Sequence, residues 1–334
     1  MRWYTGRTTC LRDKLTGPVL INLHMAPDKW LRMSESAPEI EFLDLQSGEL
    51  LPETLAKIQA VFGGLRPEQL ARANSLMWIQ LGSAGADRIA DEKLYAGRDI
   101  VLTNATGAFG ISVSEHMLAM ILTLLRNLPD YVRNHDRHIW KKQKALGSVY
   151  GARALVIGLG DIGLHLAVSL HAMGAQVTGI RRNPSLFEKP DCVESVSGPE
   201  GIDEVIREAD IVALCLPATA ETTGILSAAR IDRMKSRAIV VNAGRGSAID
   251  QEALVRALEE GRIGGAGLDV TVPEPLPEDH PLWKLPQVLI TPHAAGGDSL
   301  PLISDRVFDI FMENLERARR GAPLGNVVDR SRGY

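Results

Sequence analysis

The sequence has few cysteines, little net charge and no long hydrophobic run. Its 334 residues include three cysteines without paired spacing, which argues against a disulfide framework or a zinc site and suggests a reducing compartment. The formal net charge of −4 gives no reason to expect binding to nucleic acid or to an anionic membrane. The longest uninterrupted apolar run, Met117–Leu122, is too short to span a bilayer. We therefore expect a cytoplasmic protein with no metal, membrane or nucleic-acid partner.

The first 17 residues also lack the apolar core of a secretory signal. They carry four basic residues against one acid, so a transit peptide is the alternative to the plain leading segment that we expect. The length of the chain is sufficient for two domains or one large domain.

A glycine-rich turn between a predicted strand and a predicted helix organises the middle of the chain. The apolar run Ala154–Ile157 is typical of a buried parallel strand, and apolar residues at helical spacing begin at Leu164. Between them lies a Gly-x-Gly-x-x-Gly sequence, Gly158–Gly163. Its first glycine permits the turn, its second lets the backbone approach a pyrophosphate, and its third lets the helix pack on the strand. We predict a dinucleotide site at this helix N-terminus; the alternative is a glycine-rich turn without a ligand.

Strand and helix patterns alternate along the whole chain. Strands are predicted at 18–23, 41–45, 61–64 (a strand end), 76–81, 101–103, 154–157, 176–180, 211–216, 238–242, 265–270 and 288–290. Helices are predicted at 51–60, 67–73, 112–128, 164–173, 199–209, 227–234, 250–260 and 300–320. This alternation indicates the α/β class. We expect a Rossmann-type doubly wound parallel sheet, residues 104–294, inserted into a smaller flavodoxin-like α/β substrate domain, residues 1–103 and 295–334, with a cleft between them.

Three turns that follow predicted strands contain an arginine, a glutamate and a histidine. Arg245 can hold a carboxylate with two charge-assisted hydrogen bonds. His293 can donate a proton near neutral pH, and Glu274 can orient the ring and stabilise its charged form. A surface arginine, a loop glutamate and a buried structural histidine are the alternatives for each residue taken singly.

Several motifs, in this order, resemble the D-isomer-specific 2-hydroxyacid dehydrogenase family and its glyoxylate/hydroxypyruvate reductases. The resemblance covers about residues 20–329, and its motifs are 114–116, 158–163, 216–217 with 221–222, 241–246 with 250, 267–270 with 274–276, 291–293 and 326–329. It implies that Arg245 binds the substrate, that His293 is the acid/base and that Glu274 is its partner. The chain stops at Tyr334, and we expect no appended regulatory domain of the kind some members carry.

The resemblance also implies which residues contact the ligands. The implied cofactor contacts are Gly158, Leu159, Gly160, Asp161, Ile162, Gly163, Leu216, Pro217, Thr222, Ala243, Gly244, Arg245, Asp269, His293 and Ala295. In the first domain, backbone N–H groups of a glycine-containing loop would take the substrate carboxylate. The implied substrate contacts are Ser83, Ala84 and Gly85 of that loop, with Arg245 and His293. An ordinary tight turn is the alternative for the loop.

The end of the second nucleotide-binding strand departs from the usual pattern. A fold that prefers NAD normally has Asp or Glu about 20 residues beyond the glycine fingerprint, to bind the ribose 2′-hydroxyl. Arg181 and Arg182 stand there instead. Two guanidinium groups would bind the 2′-phosphate that a carboxylate would repel, so we predict a preference for NADP(H), with NAD(H) possible.

Together with the resemblance, these patterns predict a homodimeric NAD(P)H-dependent enzyme that reduces a small 2-oxo acid, of the glyoxylate, hydroxypyruvate or arylpyruvate kind. The resemblance implies that the product is the D-2-hydroxy acid. A 3-phosphoglycerate dehydrogenase is one alternative, and it would need extra cations such as Arg66 or Arg88. A non-catalytic, dinucleotide-dependent binding module similar to the C-terminal-binding-protein corepressors is the other.

Overall fold

The computed structural model describes residues 7–47, 51–87, 89–297, 300–330 and 332–333. Within it the chain forms two compact units, one of residues 1–109 with 299–334 and one of residues 110–298. Residues 1–6 and Arg88, which figure in the sequence-based hypotheses, lie outside the described residues.

The described residues form fourteen strands and ten α-helices. The strands are β1 (Arg7–Thr9), β2 (Val19–Asn22), β3 (Phe42–Asp44), β4 (Ala60–Gly63), β5 (Trp78–Gln80), β6 (Val101–Thr103), β7 (Arg153–Ile157), β8 (Gln176–Ile180), β9 (Ser195–Ser197), β10 (Ile211–Leu214), β11 (Ile239–Asn242), β12 (Gly265–Leu268), β13 (Val288–Ile290) and β14 (Leu324–Val327). The helices are α1 (Pro27–Ser36), α2 (Pro52–Lys57), α3 (Pro67–Arg72), α4 (Gly110–Leu125), α5 (Leu128–Asp136), α6 (Asp161–Ala172), α7 (Ile202–Val205), α8 (Ala228–Ile231), α9 (Gln251–Glu259) and α10 (Pro301–Arg320).

The unit of residues 110–298 is built on a parallel sheet of seven strands in the order β13-β12-β11-β10-β7-β8-β9. This is the doubly wound order, with the switch between β7 and β10. Most residues of its central strands are fully buried, as expected for a parallel sheet covered on both faces. The predicted Rossmann-type sheet is therefore confirmed. The ligand edge of such a sheet lies outside the carboxyl ends of its strands.

Helix α4 is apolar on several sides because it packs against α6 and against strands β11 and β12. Gly267 in β12 makes room for it, since a Cβ atom there would lie 3.1 Å from the Met120 side chain. Asp250 caps helix α9, as predicted, and its side chain accepts a hydrogen bond of 3.0 Å from the Ala253 N–H group.

The other unit contains a second sheet of seven strands, in the order β1-β14-β6-β5-β4-β2-β3. Its five strands from β2 to β6 are parallel and follow the flavodoxin-like order 2-1-3-4-5, as predicted. Strands β14 and β1 extend this sheet in the antiparallel direction. Helix α10 packs on the sheet through Phe311, whose ring stacks on Phe62 with centroids 4.1 Å apart.

The structure corrects several predicted elements. Helices α1 and α5 were not predicted. Pro129, which was expected to break the preceding helix, lies in the first turn of α5. A proline is tolerated there because the first N–H groups of a helix have no helical partner. Strands β1, β9 and β14 were also missed. The predicted helix 199–209 is a 3₁₀ turn, Pro199–Gly201, followed by the short α7.

Across the described residues, no helix combines the length and the apolar character needed to cross a membrane.

Candidate functional site

The turn between β7 and α6 needs glycine at two positions. Gly158 has φ +103°, and a Cβ atom on it would lie 2.6 Å from the Cys215 carbonyl oxygen. A Cβ atom on Gly163 would lie 2.0 Å from the Gly158 carbonyl oxygen. These approaches explain the first and third glycines of the fingerprint, because any larger residue would push the helix away from the strand.

The middle of the turn borders open space. A Cβ atom on Gly160 would meet no other atom within 4 Å, and α6 begins at the next residue with N–H groups that have no helical partner. The Asp161 carboxylate is largely buried, and its Oδ1 lies 3.4 Å from His165 Nδ1. The groups that face an anion at this turn are therefore backbone N–H groups. The turn therefore fits the pyrophosphate of a dinucleotide.

Two arginines follow β8, next to this turn. The Arg181 guanidinium donates a hydrogen bond to the Leu159 carbonyl oxygen, and its Cζ lies 4.4 Å from the centroid of the Phe187 ring. The Arg181 N–H group bonds the Ser197 carbonyl oxygen at 2.9 Å, while Arg182 is exposed. A fixed positive charge thus lies against the glycine fingerprint.

The turn after β10 contains three of the predicted cofactor contacts. Thr222 Oγ1 donates a 2.7 Å hydrogen bond to the Pro217 carbonyl oxygen, which closes the turn. Gly244 of the next turn lies against it, because a Cβ atom there would be 2.6 Å from the Leu216 carbonyl oxygen. The turns after β10 and β11 therefore form one packed surface at the ligand edge of the sheet.

The turn after β11 presents Arg245 and is shaped by a buried asparagine. Asn242 is fully buried; its Oδ1 accepts from the Gly244 N–H group at 3.0 Å and its Nδ2 donates to the Arg245 carbonyl oxygen at 2.9 Å. The Arg245 side chain is half-buried, and Nη1 donates to the Gly244 carbonyl oxygen at 2.8 Å. Apart from the position of Asn242 at the end of a strand, no sequence pattern indicated this role.

His293 and Glu274 form a hydrogen-bonded pair. His293 Nδ1 lies 2.9 Å from Glu274 Oε2, and the histidine and glutamate side chains are 49% and 35% exposed. Glu274 Oε1 accepts from the Thr271 N–H group at 3.2 Å, which fixes the carboxylate from behind. With Nδ1 held in this way, Nε2 is the ring nitrogen available to a bound molecule.

The backbone of His293 adopts φ +54°, a left-handed conformation that is uncommon for a residue other than glycine. The Asp269 carbonyl oxygen accepts from the His293 N–H group at 2.8 Å. The buried Asp269 carboxylate accepts from the N–H groups of Ala294 at 2.8 Å and Ala295 at 3.1 Å. These bonds fix the turn, so the carboxylate that was predicted to contact the cofactor holds the histidine loop in place; the cofactor contact itself stays a prediction.

A hydrogen-bond chain extends this support into helix α4. Thr291 Oγ1 donates to Asp269 Oδ1 at 2.6 Å and lies 3.0 Å from His116 Nε2. Because the hydroxyl proton goes to the carboxylate, the His116 ring is the donor in the second bond. The sequence patterns did not predict these hydrogen bonds.

The loop Gly82–Gly85 follows β5 in the unit of residues 1–109 and 299–334. Ser83 Oγ donates to the Gly85 carbonyl oxygen at 2.8 Å, and Asn104 Nδ2 donates to the Ala84 carbonyl oxygen at 2.8 Å. The carbonyl groups of the loop thus bond to protein. Within the described part of the chain, no backbone oxygen accepts from the N–H groups of residues 83–85.

Residues 118–295 match the family model for the D-isomer specific 2-hydroxyacid dehydrogenase, NAD binding domain. This segment is more than half of the chain and contains the glycine fingerprint, Arg245, Glu274 and His293. The chain belongs to this family.

Relatives within the family differ in how much of their length the chain spans. A glyoxylate reductase of Korarchaeum cryptofilum is 35% identical over 270 residues, which cover 78% of this chain and 79% of that protein. A D-3-phosphoglycerate dehydrogenase of Archaeoglobus fulgidus is 30% identical over 303 residues, which cover 89% of this chain but 56% of that protein. The chain therefore spans little more than half the length of the second relative.

Solved structures of the family share the fold over nearly the whole chain. A D-isomer specific 2-hydroxyacid dehydrogenase family protein from Aeromonas salmonicida has a TM-score of 0.81 at 31% identity, covering 95% of this chain and 100% of that one. An NADPH-dependent glyoxylate/hydroxypyruvate reductase from Sinorhizobium meliloti, in complex with NADP and sulfate, has a TM-score of 0.79 at 26% identity, with coverage of 95% and 100%.

Among the described residues, no group of three or more His, Cys, Asp or Glu side chains is placed so that it could hold a metal ion.

Proposed function

We propose that the protein reduces a small 2-oxo acid to the D-2-hydroxy acid, with NADP(H) as the preferred cofactor. The observation that carries this proposal is the His293–Glu274 pair, with Nδ1 and Oε2 2.9 Å apart. Arg245 and this pair follow β11, β12 and β13, which are neighbours in one parallel sheet. A substrate-holding cation and an acid/base pair therefore lie at one edge of the sheet, where such folds bind ligands.

A bound reduced nicotinamide supplies the hydride for this chemistry. Arg245 would hold the substrate carboxylate through its planar fork of N–H groups and stabilise the negative charge that develops on the carbonyl oxygen. His293 would deliver the proton to that oxygen from Nε2, because Nδ1 faces Glu274. Glu274 would keep the ring oriented and stabilise its charged form. In the other unit, the N–H groups of Ser83, Ala84 and Gly85 are suited to a carboxylate oxygen.

The preference for NADP(H) is proposed from the end of β8. Arg181 and Arg182 stand where a carboxylate would bind the ribose of NAD, and the Arg181 guanidinium lies against the fingerprint turn. The solved relative from Sinorhizobium meliloti was crystallised with NADP, which supports the same assignment here. A catalytic efficiency that is higher with NADH than with NADPH would contradict it.

The substrate class is proposed from the similarity to the glyoxylate reductase of Korarchaeum cryptofilum. A 3-phosphoglycerate dehydrogenase would need a cation for the substrate phosphate. Arg66 is exposed and forms an ion pair with Glu68 at 3.3 Å. Arg88 lies outside the described residues, and Arg66, which already has an ionic partner, does not favour this alternative.

We also propose a homodimer in the cytoplasm. Helix α5 has no buried residue. In the segment after it, Trp140 is fully exposed and Ile139 is nearly half exposed. Apolar side chains left on one surface favour burial against a second copy. The three free cysteines favour a reducing compartment.

The test is NADPH oxidation with glyoxylate, hydroxypyruvate, phenylpyruvate and phosphohydroxypyruvate. We expect rapid turnover of at least one unphosphorylated acid and slow turnover of the phosphorylated one. A preference for phosphohydroxypyruvate would favour the 3-phosphoglycerate dehydrogenase alternative. No turnover of any acid despite tight NADPH binding, together with capture of a peptide partner, would favour the corepressor-like module.

A further inference from the structure

The loop that follows Arg181 presents an aromatic ring to the guanidinium of that arginine. Arg181 Cζ lies 4.4 Å from the centroid of the Phe187 ring, and the same guanidinium donates to the Leu159 carbonyl oxygen. The arginine is therefore held both by the fingerprint turn and by a ring six residues further along the chain. Neither contact follows from the glycine motif or from the absence of a carboxylate.

The Phe187 ring is itself held by a short 3₁₀ turn. The turn, Pro184–Leu186, begins with a proline, and the Phe187 N–H group bonds the Pro184 carbonyl oxygen at 3.2 Å. Phe187 is half-buried, whereas the side chain of its neighbour Leu186 is 83% exposed. The loop thus presents the Phe187 side chain to Arg181 and the preceding Leu186 side chain to solvent.

We infer that Phe187 is a positioning residue that fixes Arg181 for the 2′-phosphate of NADP(H). This inference rests on the proposed preference for NADP(H). A ring against the guanidinium face uses none of its N–H groups, which all lie in the guanidinium plane. The ring and the Leu159 carbonyl together restrict the rotamers of a long side chain before the ligand arrives, and restricting them in advance strengthens binding. The 2′-phosphate distinguishes NADP(H) from NAD(H), so the effect of Phe187 should be confined to NADP(H).

The experiment measures equilibrium binding of NADPH and NADH to the full chain by titration calorimetry. Phe187→Leu keeps the apolar volume but removes the aromatic face, Phe187→Tyr keeps that face, and Leu186→Ala is the matched control on the exposed side of the loop. We expect Phe187→Leu to weaken NADPH binding roughly tenfold while NADH binding stays within about twofold of wild type. Phe187→Tyr should restore NADPH binding, and Leu186→Ala should change neither constant. In turnover assays, KM for NADPH should rise with Phe187→Leu while kcat at saturating NADPH stays unchanged.

Three results would overturn the inference. Equal weakening of NADPH and NADH by Phe187→Leu would mean that the ring supports a part common to both dinucleotides. A wild-type preference for NADPH that Phe187→Leu leaves intact would contradict the inference alone. A wild-type chain that binds NADH as tightly as NADPH would contradict the proposed cofactor preference and the inference with it. Thermal unfolding of each variant without ligand separates these outcomes from a general loss of stability.

Discussion

Two strand-end regions of the unit 110–298 are held in different ways. The turns after β11, β12 and β13 are fixed by buried polar side chains: Asn242 bonds two backbone groups and Asp269 bonds two N–H groups and a hydroxyl. The end of β8 is instead shaped by one arginine side chain, held by a carbonyl oxygen and a ring. The first region fixes backbone, and the second fixes a single side chain.

Substitutions in the two regions are therefore expected to have different effects. In the first region a hydrogen-bond network holds His293 in a left-handed conformation, so a loss of one bond should disturb the acid/base geometry and turnover. In the second region the contacts hold an arginine side chain at the end of β8, so changes there should alter cofactor affinity and selectivity and leave the chemical step intact.

Glu274→Gln should produce the largest effect among the supporting residues. The amide keeps the shape of the side chain but cannot stabilise a charged imidazole, so we expect kcat with the best 2-oxo acid to fall about 10²-fold. Glu278→Gln, an exposed residue of the same loop, is the control and should leave kcat unchanged. A kcat for Glu274→Gln within twofold of wild type would remove the pair from the mechanism.

Arg181→Ala should act on selectivity. Loss of charge-assisted hydrogen bonds to the 2′-phosphate should lower the ratio of catalytic efficiencies with NADPH and NADH by about 10- to 100-fold, with kcat at saturating cofactor unchanged. Steady-state kinetics with both cofactors measures it, and Arg207→Ala, an exposed arginine of the same unit, is the control. A fall in kcat with an unchanged ratio would erase the contrast between the two regions.

Asp269→Asn should weaken both the fold and the activity. An amide offers one acceptor oxygen and, with that oxygen in the Oδ1 position, turns an N–H donor toward the Ala295 N–H group, so we expect a loss of about 1–3 kcal/mol in the free energy of unfolding. Urea unfolding measures that loss, and kcat should fall about tenfold because the His293 turn is released. The exposed Asp279→Asn is the matched control. An unchanged free energy of unfolding for Asp269→Asn would show that the His293 turn is stable without the carboxylate bonds.

The smallest effect concerns Cys215, which directly follows β10, the strand between β11 and β7. Burial raises the pKa of this thiol to about 12, so its reactive thiolate is scarce at pH values near neutrality. In the native protein we expect iodoacetamide to label the exposed Cys10 and to spare Cys215 until the protein is denatured. Peptide mass analysis reads the sites, and rapid native labelling of Cys215 would mean that the sheet opens between the two regions.

The fold class could be predicted because parallel strands produce a strong local pattern. Apolar runs bounded by glycine, proline or a polar turn gave β8 and β13 with the observed bounds, 176–180 and 288–290. Strand β9, which pairs with the nearby β8, was missed because its three residues include a single apolar one. Two other missed strands depend on distant parts of the chain. Strands β1 and β14 pair with each other, although they lie at opposite ends of the sequence.

The two missed helices bury few of their residues. Helix α5 has no buried residue, and α1 buries only Lys29 and Met33 among its residues. Lys29 is buried because Nζ bonds Ser304 at 2.6 Å and Asp305 at 2.9 Å, both on α10. Those partners lie too far along the chain for a local pattern to indicate them.

The candidate site divides in the same way. The positions of Arg245, Glu274 and His293 after strands were visible in the sequence, and the observed pair of Glu274 and His293 agrees with their proposed partnership. The bonds that shape the turns were not visible, because Asp269 meets Thr291 and His116 only after three separate segments have packed together. Motifs therefore indicate the candidate site residues, and packing decides how they are held.

The most direct test of the account compares wild type and His293→Ala in NADPH oxidation with the best 2-oxo acid, at saturating NADPH. The account predicts that kcat falls by about 10²–10⁴-fold in His293→Ala, because the proton donor is lost, while the exposed His138→Ala stays at the wild-type value. Turnover by His293→Ala within a few-fold of wild type would contradict the central claim that the His293–Glu274 pair carries the proton transfer.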